Sequence, residues 1–399
     1  MGDLVVRVLL TTWGSRGDVE PLAALAVALR ELGADARVCA PPDDDFAVLL
    51  ARAGVPHVPM GPSVRSVVEN PKPDAFQLAP QLVASRFETL LEVAEEGCDA
   101  LLATGLMPAG VPDVAEKLGI HYVLATFHLL GLPSRHRPPG RRPGTPSPDD
   151  ETDNRVLWEQ DAQRVNALYG PALNSHRAAI GLPPVNNVRD HVLTGRPWLA
   201  ADPVLCPPQG ETDLDLVQTG AWILPDDRPL PDDLVAFLDA GDPPVYVGFG
   251  SMAAHTPKDI AEVAIDAVRS QGRRVVLARG WAGLTAVDSE DCLVIGEVNQ
   301  QALFRRVAAV VHHGGAGTTA TAARAGAPQV ILPHIADQPY WAGRVADLGI
   351  GAAATVDTLS AALATALAPE TAARAIDVAG QVRGDGAMVA AKLLLEEAR

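Results

Sequence analysis

Side chains that could bind a ligand are concentrated between Val311 and Trp341. His312 and His313 follow an apolar run that predicts a buried strand, and Gly314–Thr319 then leads into an alanine-rich helix. Glycines let the backbone approach a ligand closely, and the free N–H groups of a helix start favour an anion such as phosphate. The segment therefore predicts a phosphate site to which His313 donates a hydrogen bond. The simpler interpretation is a glycine turn with a buried histidine.

A carboxylate and an amide follow the next predicted strand, at Asp337 and Gln338. Loops that leave parallel strands open at the same edge of the sheet, where ligands of α/β proteins bind. Both side chains can hydrogen-bond the vicinal hydroxyls of a polyhydroxylated ligand. Asp337 also suits the N-cap of a helix with Pro339 in its first turn, and the two roles are compatible.

A second carboxylate, Asp18, lies in the segment Trp13–Pro21, which joins the first predicted strand to the first predicted helix. Its position near the helix start leaves two interpretations open. Asp18 is either an N-cap or a general base that faces a second domain across a cleft.

Several other site types do not fit the motifs. The glycine turn lacks the Gly-Lys-Ser/Thr of a P-loop, and it is not a GxGxxG followed by an acidic residue. The acidic runs Asp43–Asp45 and Asp213–Asp215 lie in polar, turn-like stretches, so we interpret them as solvated acids rather than a metal site. No metal or cofactor is expected.

The elements that position these residues alternate between apolar strands and amphipathic helices, which predicts parallel doubly wound α/β sheets. The first strand is expected at Val5–Thr12 and the first helix at Pro21–Leu32, and short strands are expected near Trp198 and Val204. The chain divides into an N-terminal α/β domain at 1–206, a linker region at 207–232 and a second α/β domain at 233–380. A C-terminal helix at 381–399 can pack back on the N-terminal domain.

Composition limits the class of partner. The chain has 399 residues, 48% of them hydrophobic, and a net charge of −17, which argues against a nucleic-acid partner. The four cysteines are far apart and form no CxxC, which is typical of reduced core thiols. Signal-peptide and membrane-span patterns are missing, so a soluble, cytoplasmic protein without membrane insertion is expected, and we expect a monomer.

The motifs together resemble one enzyme family. HHGGAGTT, AGAPQVILP and ADQPYWAGRV resemble the sugar-donor signature of family-one glycosyltransferases of the GT-B fold, which pairs two Rossmann-like domains across a cleft. WGSRGDVEP, NSHRAAIGLPPV, TGAWILPDDRPLP and VYVGFGSM resemble the bacterial subgroup that acts on antibiotic aglycones, in particular vancomycin-type heptapeptides. The resemblance extends over nearly the whole chain.

The resemblance implies a role for each matching residue. Asp18 matches the proposed base, with Asp337 as its rival, and the loop near Ser134–Asp153 matches the acceptor side. Many plant relatives have a histidine at the corresponding place, and the loop around Asp18 has none. The residues implied to bind the nucleotide sugar are Ser15, Ser251, Trp281, Val298, His313, Gly314, Gly315, Gly317, Thr318, Thr319, Asp337 and Gln338.

The implied reaction is the transfer of a hexose or deoxyhexose from a UDP- or dTDP-sugar to an aglycone hydroxyl, with inversion at the anomeric carbon. Two alternatives stay open at this stage. One is a GT-B-like sugar-nucleotide epimerase, and the other is a non-catalytic nucleotide-sugar-binding activator of another transferase.

Overall fold

A computed structural model describes residues 5–70, 74–140, 152–208, 212, 214–250, 260–280 and 289–398. The chain forms two compact units. The N-terminal unit comprises Met1–Ala201, Pro207–Leu224 and Asp385–Arg399, and the C-terminal unit comprises Asp202–Cys206 and Pro225–Gly384. This division assigns 202–206 and 207–224 differently from the predicted boundary at residue 206.

The N-terminal unit is built on a parallel sheet whose strands are short and apolar, as expected when helices cover both faces. The strand order is β3-β2-β1-β4-β5-β6-β7. The strands are β1 (Arg7–Thr11), β2 (Asp35–Ala40), β3 (His57–Pro59), β4 (Ala100–Ala103), β5 (His121–Thr126), β6 (Trp198–Leu199) and β7 (Val217–Gln218).

Helices connect these strands in the described part of the unit. They are α1 (Arg16–Glu31), α2 (Asp44–Arg52), α3 (Val64–Val68), α4 (Ala75–Glu95), α5 (Val111–Leu118), α6 (Asn154–Ala179) and α7 (Val188–Leu193). The chain reverses its direction of winding between β1 and β4, so the loops after these two strands flank the switch point of the sheet.

The C-terminal unit repeats the design with a six-stranded parallel sheet in the order β10-β9-β8-β11-β12-β13. Its strands are β8 (Val245–Gly248), β9 (Val275–Ala278), β10 (Cys292–Ile295), β11 (Ala309–His312), β12 (Gln329–Ile331) and β13 (Gly351–Ala353). Its helices are α8 (Asp232–Asp239), α9 (Ile260–Ser270), α10 (Gln300–Leu303), α11 (Ala316–Ala325), α12 (Gln338–Asp347), α13 (Leu359–Ala366) and α14 (Pro369–Ala379). Here the switch point lies between β8 and β11.

The last helix, α15 (Gly386–Glu397), belongs to the N-terminal unit and packs against α1. Glu397 binds His121 Nε2 at 3.1 Å and Arg196 Nη1 at 3.0 Å. At its start, a Cβ on Gly386 would lie 2.5 Å from the carbonyl oxygen of Ala221, so only glycine fits there.

The predicted fold class is confirmed in both units. The strand predicted near Val204 is wrong, because residues 203–205 form a turn whose carbonyls accept hydrogen bonds from Arg344 on α12. The first helix begins at Arg16, ahead of the predicted Pro21. The four cysteines, all of them described, form no disulfide. Among the described residues, no helix has both the length and the apolar character needed to cross a membrane.

Candidate active site

The loops after β8 to β12 all open at one edge of the C-terminal sheet, because every strand pair in it is parallel. His312, the last residue of β11, pairs in register with Gly248 at the end of β8 and with Ile331 at the end of β12. The glycine turn and the Asp337-Gln338 pair therefore follow neighbouring strands, at the edge where ligands of open α/β sheets bind.

The glycine turn leaves the start of α11 open to an anion. Gly314 adopts φ +91°, and Gly315 is the N-cap, so no side chain caps the helix. The first helical bond runs from Thr319 N to Gly315 O at 2.9 Å, which places the N–H groups of Ala316, Gly317 and Thr318 ahead of the hydrogen-bond ladder. With no acidic residue in the first turn, the positive helix end is uncompensated.

Thr319 differs from its neighbours, because its donors are already used. Its side chain is fully buried, and its hydroxyl donates to Gly315 O at 2.9 Å. Gly317 is exposed and Thr318 is partly exposed. The structure therefore favours Gly317 and Thr318 as ligand contacts, and direct contact from Thr319 remains a prediction.

The imidazole ring of His313 packs between the backbones of Gly250 and Gly315. A Cβ on Gly315 would come within 2.8 Å of its Nε2, and a Cβ on Gly250 would lie 3.2 Å from its Cε1. Its Nδ1 is buried and has no hydrogen-bond partner in the described part of the chain. Burial lowers the pKa of His313 to about 4, a shift that nearby Asp337 opposes and His334 reinforces. The ring is therefore neutral at pH 7 and offers one N–H and one lone pair.

Asp337 occupies the N-cap position of α12, but its side chain makes no capping hydrogen bond. Its Oδ2 instead accepts from Trp341 Nε1 at 2.6 Å. The side chain of Gln338 is almost fully buried, and its Oε1 accepts from the backbone N–H groups of His334 at 2.7 Å and Ile335 at 3.0 Å. Gln338 thus holds the loop after β12 with its oxygen, and its amide N–H groups are the end that could reach a hydroxyl.

The remaining predicted contacts of this unit are only partly described. Val298 lies between β10 and α10, and its side chain packs against the apolar cluster that contains Phe304 and Leu303. Only its backbone is therefore suited to a polar contact. Ser251 and Trp281 lie outside the described residues, as do residues 141–151 of the predicted acceptor loop.

In the N-terminal unit, Asp18 follows β1 at the switch point of the sheet. Ser15 is the N-cap of α1, and its Oγ accepts from Gly17 N at 3.3 Å, so the N-cap interpretation of Asp18 is wrong. Asp18 is the third residue of the helix and is partly exposed. Its carboxylate folds back over Gly14, where a Cβ would lie only 2.1 Å from Oδ2.

Arg86 is a residue of this edge that the sequence analysis missed. Arg86 is 2% exposed, and its guanidinium donates to the carbonyls of Leu106, Met107 and Ala109 in the loop after β4. That loop in turn donates from Leu106 N to Trp13 O at 3.2 Å, next to the Asp18 segment. The apolar residues at helical spacing around Arg86 place it on the buried face of α4. This spacing could have predicted a buried arginine from the sequence.

The interpretation of the acidic runs as solvated is wrong for Asp43. Asp43 is buried, and its carboxylate accepts from Ser63 Oγ, Val64 N and Arg65 N at 2.8–3.0 Å, so it holds the start of α3 and is not solvated. Asp45 and Asp215 are exposed, and Asp213 lies outside the described residues.

One described group, Asp113, Glu116 and His191, is close enough to hold a metal ion. The guanidinium of Arg177 already binds both of its carboxylates, so the group forms an ion-pair network.

Comparisons with known proteins place this geometry in a family. Residues 278–390 match the family described as Erythromycin biosynthesis protein CIII-like, C-terminal domain. The chain is 58% identical over 404 residues to vancomycin aglycone glucosyltransferase of Amycolatopsis orientalis, an alignment that covers 98% of this chain and 97% of the relative. The chain belongs to the family-one glycosyltransferases.

Further relatives agree with this assignment. The glycosyltransferase is 51% identical to dTDP-epi-vancosaminyltransferase of Amycolatopsis orientalis, over 94% of this chain and 93% of the relative. The solved structure of the glycotransferase of kitacinnamycin has a TM-score of 0.75 at 19% identity, covering 98% of this chain and 99% of that one, which supports the GT-B fold. The glycosyltransferase is thus an enzyme related to those of vancomycin-type antibiotic biosynthesis, and these relatives support neither the epimerase nor the activator.

Proposed function

We propose that this glycosyltransferase moves a hexose or deoxyhexose from a UDP- or dTDP-sugar to a hydroxyl of a vancomycin-type glycopeptide aglycone, with inversion of configuration. The observation that carries the proposal is the 58% identity, over nearly the full length of both chains, to an enzyme named for the vancomycin aglycone. The name of the dTDP-epi-vancosaminyltransferase supports a dTDP-sugar, and that of the glucosyltransferase supports a hexose.

The nucleotide sugar binds at the carboxyl edge of the C-terminal sheet in this proposal. The N–H groups of Gly317 and Thr318 and the neutral imidazole of His313 donate to the diphosphate. These fixed donors stabilise the negative charge that grows on the leaving nucleoside diphosphate. Asp337 and Gln338 bind the sugar hydroxyls, and Ser15, Ser251, Trp281 and Val298 stay proposed donor contacts.

Asp18 is the proposed general base. Ser15 caps α1, so the carboxylate of Asp18 is not needed for the N-cap hydrogen bond. Its position in the first turn favours the ionised form that a base requires. Asp18 takes the proton of the acceptor hydroxyl while that oxygen attacks the anomeric carbon, and the C–O bond to the diphosphate breaks on the opposite face. Asp337 bonds Trp341 and is better suited to holding the sugar.

We further propose that the enzyme works as a monomer and without a metal or cofactor, since the helix start and His313 supply the charge stabilisation. The test is product analysis with the full-length enzyme. Mass spectrometry should find one added hexose or deoxyhexose when vancomycin-type aglycone is mixed with UDP- or dTDP-sugars, and NMR should find the inverted anomer. Turnover of the sugar donor that needs no aglycone would instead point to the epimerase and would overturn the proposal.

A further inference from the structure

His312 lies one residue before His313, and no ligand contact is predicted for it. Its side chain is completely buried at the end of β11. Its Nδ1 lies 3.1 Å from the backbone nitrogen of Gly314, which can only donate. Nδ1 must therefore carry a lone pair, and the ring proton must sit on Nε2. That Nε2–H donates to Gln329 Oε1 at 2.9 Å.

The same reasoning orients the next side chain. Because Gln329 accepts through Oε1, its amide N–H groups face the carbonyl of Thr319, at 3.3 Å. The hydroxyl of Thr319 donates to Gly315 O at 2.9 Å. These hydrogen bonds form a series from Gly314 through His312, Gln329 and Thr319 to Gly315. The series therefore starts and ends in the glycine turn, and it passes through β12 and the first turns of α11.

We propose that His312 is a positioning residue for the diphosphate of the nucleotide sugar: its Nδ1 holds the Gly314 N–H and so fixes the turn that aims the start of α11. This inference rests on the proposed function, in which that helix start binds the diphosphate. Gly314 has φ +91°, and its neighbours leave no room for a side chain, since a Cβ there would lie 2.7 Å from Ile331 Cγ2. A turn held this tightly needs its buried N–H to be satisfied.

Two consequences follow for the site. The Gly314 N–H is bound to His312 and is removed from the set of ligand donors, although Gly314 is a predicted contact. The ring also keeps its lone pair across the working range, because burial, reinforced by the neighbouring His313, lowers the pKa of His312 to about 3. An imidazolium at this position would turn an acceptor into a donor and expel the Gly314 N–H.

A matched pair of substitutions separates this role from general packing. Asparagine at residue 312 puts an oxygen near the place of Nδ1, whereas glutamine puts its polar end near the place of Nε2. His312→Asn keeps the acceptor for Gly314 and loses the bond to Gln329, and His312→Gln does the reverse. Both remove the ring, so thermal unfolding should shift down by similar amounts.

Calorimetry with UDP and dTDP then gives the readout. We expect the Kd of His312→Asn to stay within about threefold of the wild type and that of His312→Gln to rise about tenfold or more, because a buried N–H is left without an acceptor. Equal Kd values for the two variants, with both folded, would overturn the positioning role alone. Failure of the wild-type chain to bind either nucleotide would overturn the proposed function and this role together.

A measurement on the wild-type enzyme covers the case in which a variant does not fold. Nitrogen-15 NMR of the histidine rings should show His312 with its proton on Nε2 and unchanged between pH 5 and pH 8, as the pKa of about 3 implies. A proton on Nδ1, or titration in that range, would refute the proposal without any substitution.

Discussion

Replacing Gly14 by alanine should lower the kcat of the glycosyltransferase without replacing any side chain that takes part in the proposed chemistry. The φ of Gly14 is not among the positive values, so alanine can adopt the backbone. The new Cβ, however, would lie 2.1 Å from Asp18 Oδ2 and 2.5 Å from Asp18 Cγ. The contact is with the end of a partly exposed side chain, so rotation of the Asp18 side chain should relieve it while the backbone stays in place.

The size of the effect follows from that distance. A Cβ essentially never lies within 3.0 Å of another heavy atom, so Oδ2 must move by about 1 Å, and a displacement of about 1 Å at a catalytic group can lower kcat about 10²-fold. The Kd of the nucleotide should be unchanged, because its predicted contacts lie mainly in the other unit.

Gly17→Ala is the matched control, three residues away in the same segment. Its Cβ would meet only Ser15 Oγ, at an ordinary contact distance of 3.6 Å, and alanine favours the helix by about 0.5–1 kcal/mol. Steady-state kinetics at saturating sugar donor, nucleotide Kd by calorimetry and thermal unfolding would be measured on both variants. If Gly14→Ala kept the turnover of Gly17→Ala while folded, the position of the Asp18 carboxylate would not matter and Asp18 would not be the base.

Three further predictions concern other parts of the molecule. Asp18→Asn should lower kcat by about 10²–10⁴-fold with the donor Kd unchanged, whereas Asp337→Asn should raise the donor Kd; kinetics with the reverse result would exchange the two roles. Arg86→Met removes the three hydrogen bonds that a buried arginine donates to the loop after β4, so urea unfolding should show a loss of about 3 kcal/mol, and a loss below 1 kcal/mol would contradict their contribution to stability. The fold should lose stability as the pH falls from about 6.5 towards 4. In the unfolded chain the rings of His312 and His313 take up protons over this range, whereas burial holds their folded-state pKa values at about 3 and about 4. A thermal unfolding temperature that does not change over this range would argue against buried neutral rings.

The sequence predicted the strands and helices that have a clear hydrophobic pattern. It missed segments whose conformation depends on tertiary contacts. β13 is Gly351–Ala353, which lacks β-branched residues and is a strand because its backbone pairs with β12. Val204 is apolar, yet it lies in a turn whose carbonyls bind Arg344. α8 begins inside a Pro- and Asp-rich stretch that is typical of a linker. For β13 and for Val204, a tertiary contact outweighed the local preference.

The candidate site divides in the same way. The strand–glycine–helix order was readable because it is local in sequence, and the fold class followed from the alternation of elements. Ser15 and Asp18 are both good N-cap residues, so type alone did not decide between them, and only the backbone shows that Ser15 is the cap. The His312–Gln329 bond joins residues that become neighbours only through the register of β11 and β12, which the sequence does not state.

The return of α15 to the N-terminal unit has a consequence for biosynthesis. α1 is translated well before the helix that packs on it, because the C-terminal unit lies between the two helices in the sequence. Domains usually begin to fold in the order of synthesis. The part of α1 that contacts α15 therefore stays uncovered until α15 has been made and Glu397 can reach His121 and Arg196. A nascent chain stalled before Gly386 should accordingly be a better chaperone substrate than the finished enzyme.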